Sequence, residues 1–353
     1  MEPVTHFLTG ACLGRSGFNR KTAYATLAMT LAAEAPDLDV FWSFGGPIAG
    51  FQHHRGITHT LIGAPFMALA VTTFVYGVHR LRRKPPAIPP RWLFLWFAAL
   101  VADLSHLLLD YTNNYGLRPF FPFNPRWYAW DIVYIFDPIL FAMLLAALVI
   151  PALLGVVDGE MTRRRTLFRG RGWAIAALIG VASLYALRNA EHAHAIALVR
   201  AAPPTREPLM RVAAMPYPLD PFVWHALLET RDAYQGATVR TRSDEIETDA
   251  YDNTIHKAPV TPAVVAAKQS YLGRVYLDWS SWPVTEDLGN VAAPGEPPLP
   301  PGYHTVVFRD MRFGYPVVSG SVGERSRGAL AGYVTISPAG KVDASFMNGR
   351  EQK

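Results

Sequence analysis

The sequence predicts an α-helical integral membrane bundle of about five spans plus a re-entrant N-terminal helix, followed by a small extracytoplasmic α+β domain. Three observations carry this reading. Apolar segments near the ~20 residues that cross a bilayer recur through the N-terminal half. Charged residues make up 17% of the 353 positions and hydrophobic ones 50%, whereas a soluble chain carries about a quarter charged. From Pro203 the long apolar runs stop, and Pro and charged residues return. The expected domains are therefore 1–200 in the membrane and 201–353 outside it.

The elements follow in order. Residues 4–14 (VTHFLTGACLG) are too short to span and read as a re-entrant helix, tolerated where protein covers the backbone. The stretch MEPVTHFLTG has no basic n-region and no small-residue cleavage site, so no cleavable signal peptide is expected. Residues 22–36 are apolar and rich in small side chains. Residues 58–79 contain no Lys, Arg, Asp or Glu. Residues 92–111 are apolar except for acids and a histidine near one end, and residues 133–157 carry one acid, Asp137. Residues 173–187 are short, with a helix that can run on through Arg188 into AEHAHAIALV.

Loop charge sets the orientation. Loop 80–91 holds Arg80, Arg82, Arg83, Lys84 and Arg91 with no acid. Loop 158–172 holds Arg163, Arg164, Arg165, Arg169 and Arg171, and Arg15, Arg20 and Lys21 form a third basic turn. The positive-inside rule turns these loops to the cytoplasm. Loops 37–57 and 112–132 and the tail after residue 188 then lie outside. The net charge of +5 falls in loops and forms no stripe along a helix, which argues against nucleic acid. One cysteine, Cys12, excludes a disulfide framework and a thiolate metal cluster.

In the tail, PPTREPLMRV reads as a linker. GRVYLDWSSWPV, YHTVVFRDMRFG and LAGYVTISPAGKVDASF read as strands with Gly/Pro turns. TPAVVAAKQSYL reads as a helix capped by Thr261 with Pro262 in its first turn. Trp224, Trp279 and Trp282 are expected in the core, and no catalytic constellation stands out. The expected role is to cover the membrane site or guide substrate.

The chemistry lies at the outer ends of the apolar segments. Ionisable groups are expensive in a bilayer, so their presence there is a functional hypothesis by default. His106 and Asp110 are four apart and Asp103 is three before His106, so all three share a helix face. HHRGITHT supplies His53, His54, Arg55 and His59, with Gly56 for a tight turn and Thr58 as cap of the next helix. EAPDLD ends a helix at Pro36 and sets Asp37 and Asp39 beyond it. Glu34 lies deeper, as a supporting group. Asp137, before Pro138, either caps backbone amides or joins the ligands. Imidazole and carboxylate together are ligands for zinc and similar divalent ions. The expected ligands are His6, Asp37, Asp39, His53, His59, His106 and Asp110. Blander readings are a hydrogen-bonded polar patch between helices and a loop that meets lipid headgroups. Trp127, Tyr128 and Trp130 read as an interfacial belt or as walls of a substrate entrance.

PVTHFLTG, APDLD, HHRGITHTL, HLLLDYTNNYG with RPFFPF, and WDIVYIFDP together resemble the membrane-bound metal-dependent hydrolase family of bacteria typified by YdjM and YbcI. That family is also described as LexA-binding, inner-membrane-associated hydrolases. The resemblance covers roughly residues 1–155, and HRGITHT and HLLLDYTNNYG are its specific parts. It implies the bacterial inner membrane, a divalent metal and hydrolysis. The order His, Asp, His, His-x-x-x-Asp is also similar to the ligand order of zinc-dependent phospholipase C and related single-strand-specific nucleases. Carried over, it would make His6, Asp37 or Asp39, His59, His106 and Asp110 ligands. Those enzymes have later ligands, and this chain has no further histidine until His192, so one or two ions are expected.

The expectation is therefore a membrane-embedded hydrolase with a divalent metal, zinc by its donors, at the outer interface. It would act on a phosphoester or other ester of a lipid-like substrate, with membrane lipid as its surroundings and no nucleic acid partner. Asp37 or Asp110 would accept a proton and Arg55 would hold an anion. The alternatives are a non-enzymatic protein that handles a metal or proton, and a structural anchor for the outer domain.

Overall fold

Glu2 and Pro3 start the first helix, α1 (Pro3–Arg15): the Glu2 carboxylate accepts from the Thr5 amide at 3.0 Å, and Pro3 takes the first turn, where its missing N–H is no loss. α2 (Ala25–Ala32) lies directly against it. A Cβ on Gly10 would fall 2.5 Å from the Met29 carbonyl oxygen, and one on Gly14 would fall 2.5 Å from the Thr26 Cα. Gly10 and Gly14 thus form a GxxxG face that lets two backbones touch, as membrane helices do.

The computed structural model describes residues 1–162, 169–248, 254–314 and 330–352. Arg163, Arg164 and Arg165 of the second basic loop lie outside the described residues. The chain forms two units. The first comprises Met1–Asp39, Arg55–His192 and Pro218–Pro221, and the second Val40–His54, Ala193–Tyr217 and Phe222–Lys353.

The first unit is helical. α4 (Ala64–Leu81) and α5 (Trp92–Thr112) pack with α2 through Ala25, Ala28, Met29, Ala68, Val75, Leu95 and Ala99. A second cluster joins Leu8 and Cys12 of α1 to Leu140 and Leu144 of α6 (Pro138–Thr162) and to Ala174 and Leu184 of α7 (Arg171–Ala201). Asp137 caps α6: its Oδ1 accepts from the Ile139 and Leu140 amides at 2.9 and 3.1 Å, and its Oδ2 pairs with Arg188 of α7 at 2.7 Å. Asp137 is therefore a cap and not one of the clustered donors. α7 does run on through Arg188, to Ala201.

Among the described residues, three helices are long and apolar enough to cross a membrane: α5, α6 over Pro138–Gly155, and α7. Pro47–His59 with Ala64–Leu81 makes a fourth if the bent pair counts as one. The expected span at 22–36 contains only the eight-residue α2. At ~1.5 Å per residue it rises about 12 Å, short of a ~30 Å hydrocarbon core.

The second unit is sheet-rich. One antiparallel sheet has the order β1 (Arg211–Pro216), β2 (Val223–Glu229), β3 (Ala233–Arg240), β4 (Glu245–Glu247), with β5 (Thr254–His256) also on β3. The buried face of this sheet, with Trp224, Ala226, Leu228 and Val239, packs on Ala195 and Val199 at the end of α7. The other sheet runs β10 (Arg350–Glu351), β9 (Val342–Met347), β8 (Gly332–Ile336), β7 (His304–Asp310), β6 (Pro283–Asp287). α8 (Pro262–Gln269) is capped as expected, with Thr261 Oγ1 accepting from the Val264 amide at 3.2 Å.

GRVYLDW, expected as a strand, is instead α9 (Tyr271–Trp279). Ser270 Oγ caps it by accepting from Gly273 N at 2.9 Å, and Leu272, Val275, Tyr276 and Trp279 form one buried helical face. The strand β6 begins only at Pro283. The expected tryptophans Trp224, Trp279 and Trp282 are all buried. Buried Asp310 pairs with Arg312 at 2.8 Å, and that guanidinium lies over Trp279. Burial alone would push the Asp310 carboxyl up, but Arg312 and the Ser280 hydroxyl hold it below the usual carboxylate range.

Residues 40–54, part of the loop 37–57 expected outside, belong to this second unit. α3 (Pro47–His53) sets Phe51 against Trp279 at 5.0 Å between ring centroids. Gln52 accepts from the Tyr271 hydroxyl at 2.6 Å, and Gln352 Oε1 accepts from the Ile48 amide at 3.0 Å.

Candidate metal centre

Four side chains from three separate stretches of the first unit converge. Asp37, His59, His106 and Asp110 each offer a ligand atom, and these atoms all lie within 4.8 Å of one another. Asp37 comes from the 3-10 stretch Ala35–Gly45, and His59 ends the 3-10 turn Ile57–His59. His106 and Asp110 sit one turn apart on α5. The Nε2 atoms of His59 and His106 are 3.0 Å apart. Asp37 Oδ1 lies 3.3 Å from the first and 3.7 Å from the second. Asp110 Oδ2 lies 3.5 and 3.4 Å from the same two nitrogens.

Neighbouring groups fix the tautomers. His106 Nδ1 lies 2.7 Å from the Ala33 carbonyl oxygen. That oxygen only accepts, so Nδ1 carries the proton and Nε2 presents a lone pair. His59 Nδ1 lies 3.2 Å from Asp39 Oδ2, which also accepts the Arg55 amide at 2.7 Å. His59 is thereby turned the same way. Two imidazole lone pairs and two carboxylate oxygens thus face one point, and Asp110 Oδ2 has no hydrogen-bond partner. Such an arrangement repels itself unless a cation lies among the donors. The donor set, buried except for half-buried Asp37, fits a divalent ion with nitrogen and oxygen ligands. The partners of each Nδ1 are the usual supports of metal-bound histidine.

The remaining expected residues fall into distinct places. His6 of α1 is fully buried, stacks on His106 at 3.7 Å, and has Nε2 3.4 Å from Asp110 Oδ1. Neither of its ring nitrogens makes a hydrogen bond, and it borders the cluster without belonging to the four converging donors. Asp39 positions His59 through Nδ1. His53 belongs to the second unit, where its ring stacks on Trp42 at 4.2 Å. Arg55, with φ +56°, turns its guanidinium inward. Its Nη2 donates to Asp110 Oδ1 at 2.8 Å, and its Nη1 donates to Asn113 Oδ1 at 3.2 Å and the Gly116 carbonyl at 2.7 Å. Only 3% of Arg55 is exposed, so it holds Asp110 and the 113–116 turn. The Met1 amine also pairs with Asp110. Asp103 is buried on the same face of α5, with neither carboxylate oxygen hydrogen-bonded.

One expectation about capping changes. Thr58 does not cap α4. The 3-10 turn at 57–59 delays that helix to Ala64, whose N-cap is Gly63, and Thr60 Oγ1 accepts from Gly63 N at 2.9 Å in the turn before it. Asn113 and the Ala33 carbonyl were not legible as site groups. Asn113 stands in the TNNYG run, which signals a special turn but not its partner.

A family model described as YdjM inner membrane protein matches residues 1–195. The uncharacterized protein YfhP of Bacillus subtilis (strain 168) is 30% identical over 158 residues, 42% of this chain. The match spans 46% of YfhP, so the chain covers about half the length of that curated relative. No solved structure matches the chain.

Proposed function

The chain belongs to the YdjM inner membrane protein family, and we propose that it is a metal-dependent hydrolase whose site opens at the outer face of the inner membrane. The observation that carries this reading is the set of four converging donor atoms with both imidazole Nε2 lone pairs turned inward. His59, His106, Asp110 and Asp37 would hold the ion, with His6 beside them, and the nitrogen and oxygen donors favour zinc. A divalent ion there would polarise an ester oxygen and make hydroxide available near neutral pH.

The chain's own residues divide the remaining work. Asp37 is 19% exposed against 1% for Asp110. Asp37 is therefore the carboxylate that water and substrate can reach, and the one suited to accept a proton. Arg55 fixes Asp110 and acts through it. Basic loop 80–91 supports placing the opposite end of the helices in the cytoplasm. A site at headgroup depth favours a phosphoester or ester of a lipid-like substrate, with the sheet-rich unit outside the membrane.

Purified protein in detergent, analysed for metal and assayed with a phospholipid, tests this. The expected result is a bound divalent ion near one or two per chain and hydrolysis, both lost in His106→Ala and Asp110→Ala. A chain with no bound metal under metal-replete conditions would overturn the reading. Asp103, unpartnered and buried in a span, favours a second reading, a protein that handles a metal or proton without hydrolysis. Bound metal with no turnover of any ester would select it.

A further inference from the structure

We propose that residues 40–44 of the second unit form an aromatic membrane-docking patch that seats this unit on the lipid interface. Phe41 is 58% exposed, Trp42 54% and Phe44 88%, with Val40 beside them at 61%. Four large apolar side chains in five consecutive positions stand in solvent. Nothing between Val40 and Gln52 carries a charge, and the preceding Asp39 is buried. Single exposed apolar residues are ordinary, but a contiguous exposed cluster marks an interaction surface.

The patch rests on a stiff base. Trp42 stacks on His53, and Phe41 stacks on Phe44 at 5.9 Å. Gly50 closes against Ser43: a Cβ there would fall 2.4 Å from Ser43 Oγ. The Gln352 amide donates to the Gly45 carbonyl at 3.0 Å, which ties the turn to the end of the sheet-rich unit. The exposed rings are therefore presented by packed structure, not by a loose tail.

Lipid is the occupant the chain itself favours. The patch is followed in the chain by Pro47–His59 and Ala64–Leu81, a pair bent by 85° that is together long and apolar enough for a broken span or re-entrant segment. Trp and Phe without neighbouring charge suit the headgroup boundary, where aromatic rings collect.

The test uses the full chain in nanodiscs of phosphatidylethanolamine and phosphatidylglycerol. Cys12 is fully buried, so Phe44→Cys can be spin-labelled in the native background or with Cys12→Ala. Val342→Cys, at an exposed position of β9, serves as the aqueous control. The proposal expects molecular oxygen to relax the label at position 44 several-fold more effectively than a water-soluble nickel chelate, with the reverse order at 342. Nickel accessibility at 44 equal to that at 342 would show a water-exposed patch and overturn it. A label shielded from both reagents would show coverage by protein, such as a second copy of this chain, and would overturn it equally. Phe44 is the most exposed of the cluster, so its replacement removes little packing, and size-exclusion elution as a single peak confirms the fold.

Discussion

At the residue scale, the site is decided by the atoms behind the donors. The Nε2 atoms of His59 and His106 face each other because each Nδ1 is already committed, to Asp39 and to the Ala33 carbonyl. Asp39→Asn keeps the size but removes the charge that holds the His59 ring and raises its basicity. It should weaken metal affinity roughly 10–100-fold, read by chelator competition, while His59→Ala should abolish binding. Unchanged affinity in Asp39→Asn would remove Asp39 from the supporting shell. Asp103 gives the opposite expectation. An unpaired buried carboxyl costs about 1–3 kcal/mol or more, so Asp103→Leu should melt at higher temperature and keep its metal. Loss of metal in that variant would give Asp103 a direct part. The sequence pattern located His6, His59, His106 and Asp110, but it could not divide Asp37 from Asp39. They lie two apart in a 3-10 stretch, and only the fold shows that Asp37 reaches both imidazoles while Asp39 reaches the back of one.

At the scale of elements, the close contact between α1 and α2 sets where His6 lies. α1 touches α2 through Gly10 and Gly14, with no room for a Cβ at either. Gly14→Val must therefore push the helices apart, which overpacking data put at about 1–3 kcal/mol. The expected outcome is a lower melting temperature and reduced metal retention, since His6 moves with α1. Gly77→Ala is the control, because a Cβ there meets nothing within 4 Å. A Gly14→Val protein as stable as Gly77→Ala would show the contact to be slack.

The sheet-rich unit carries its own pH signature. Burial pushes the His225 imidazole of β2 down to about 4, from an ordinary value near 6.5. The unfolded chain then binds the extra proton between those values. Stability is full above pH ~6.5 and falls as pH drops toward ~4, by roughly 3 kcal/mol at most. Melting of the full chain in detergent at pH 7 and pH 4.5 should show a smaller loss for His225→Gln than for the parent. Equal losses would mean that His225 is not the group that titrates. The helix α9 shows why elements in this unit were harder to read than those in the membrane. Aromatic and β-branched residues in GRVYLDW match strand propensity, but the Ser270 cap and the shared buried face of Leu272, Val275, Tyr276 and Trp279 outweigh it.

At the scale of the whole molecule, the proposed orientation decides which face of the membrane the site opens to. The proposed orientation, with the tail outside, rests on the positive-inside rule applied to basic loop 80–91. A reporter that folds and fluoresces only in the cytoplasm, fused at Lys353, should stay dark, whereas a phosphatase active only outside should work. The reverse result would turn the orientation over and put the metal site at the inner face.

The sequence alone determined that this is a membrane chain with a sheet-rich tail, and that histidine and aspartate gather at one end of its apolar segments. Hydrophobic length and ligand chemistry are local properties, written in runs of residues. Tertiary structure alone decided that residues 40–54 build into the second unit and that Arg55 serves Asp110. It also decided that His53 packs on Trp42 while His59 turns inward. Those outcomes depend on contacts between residues distant in the chain, and on backbone turns such as the positive φ at Arg55. No pattern of neighbours in sequence encodes them directly.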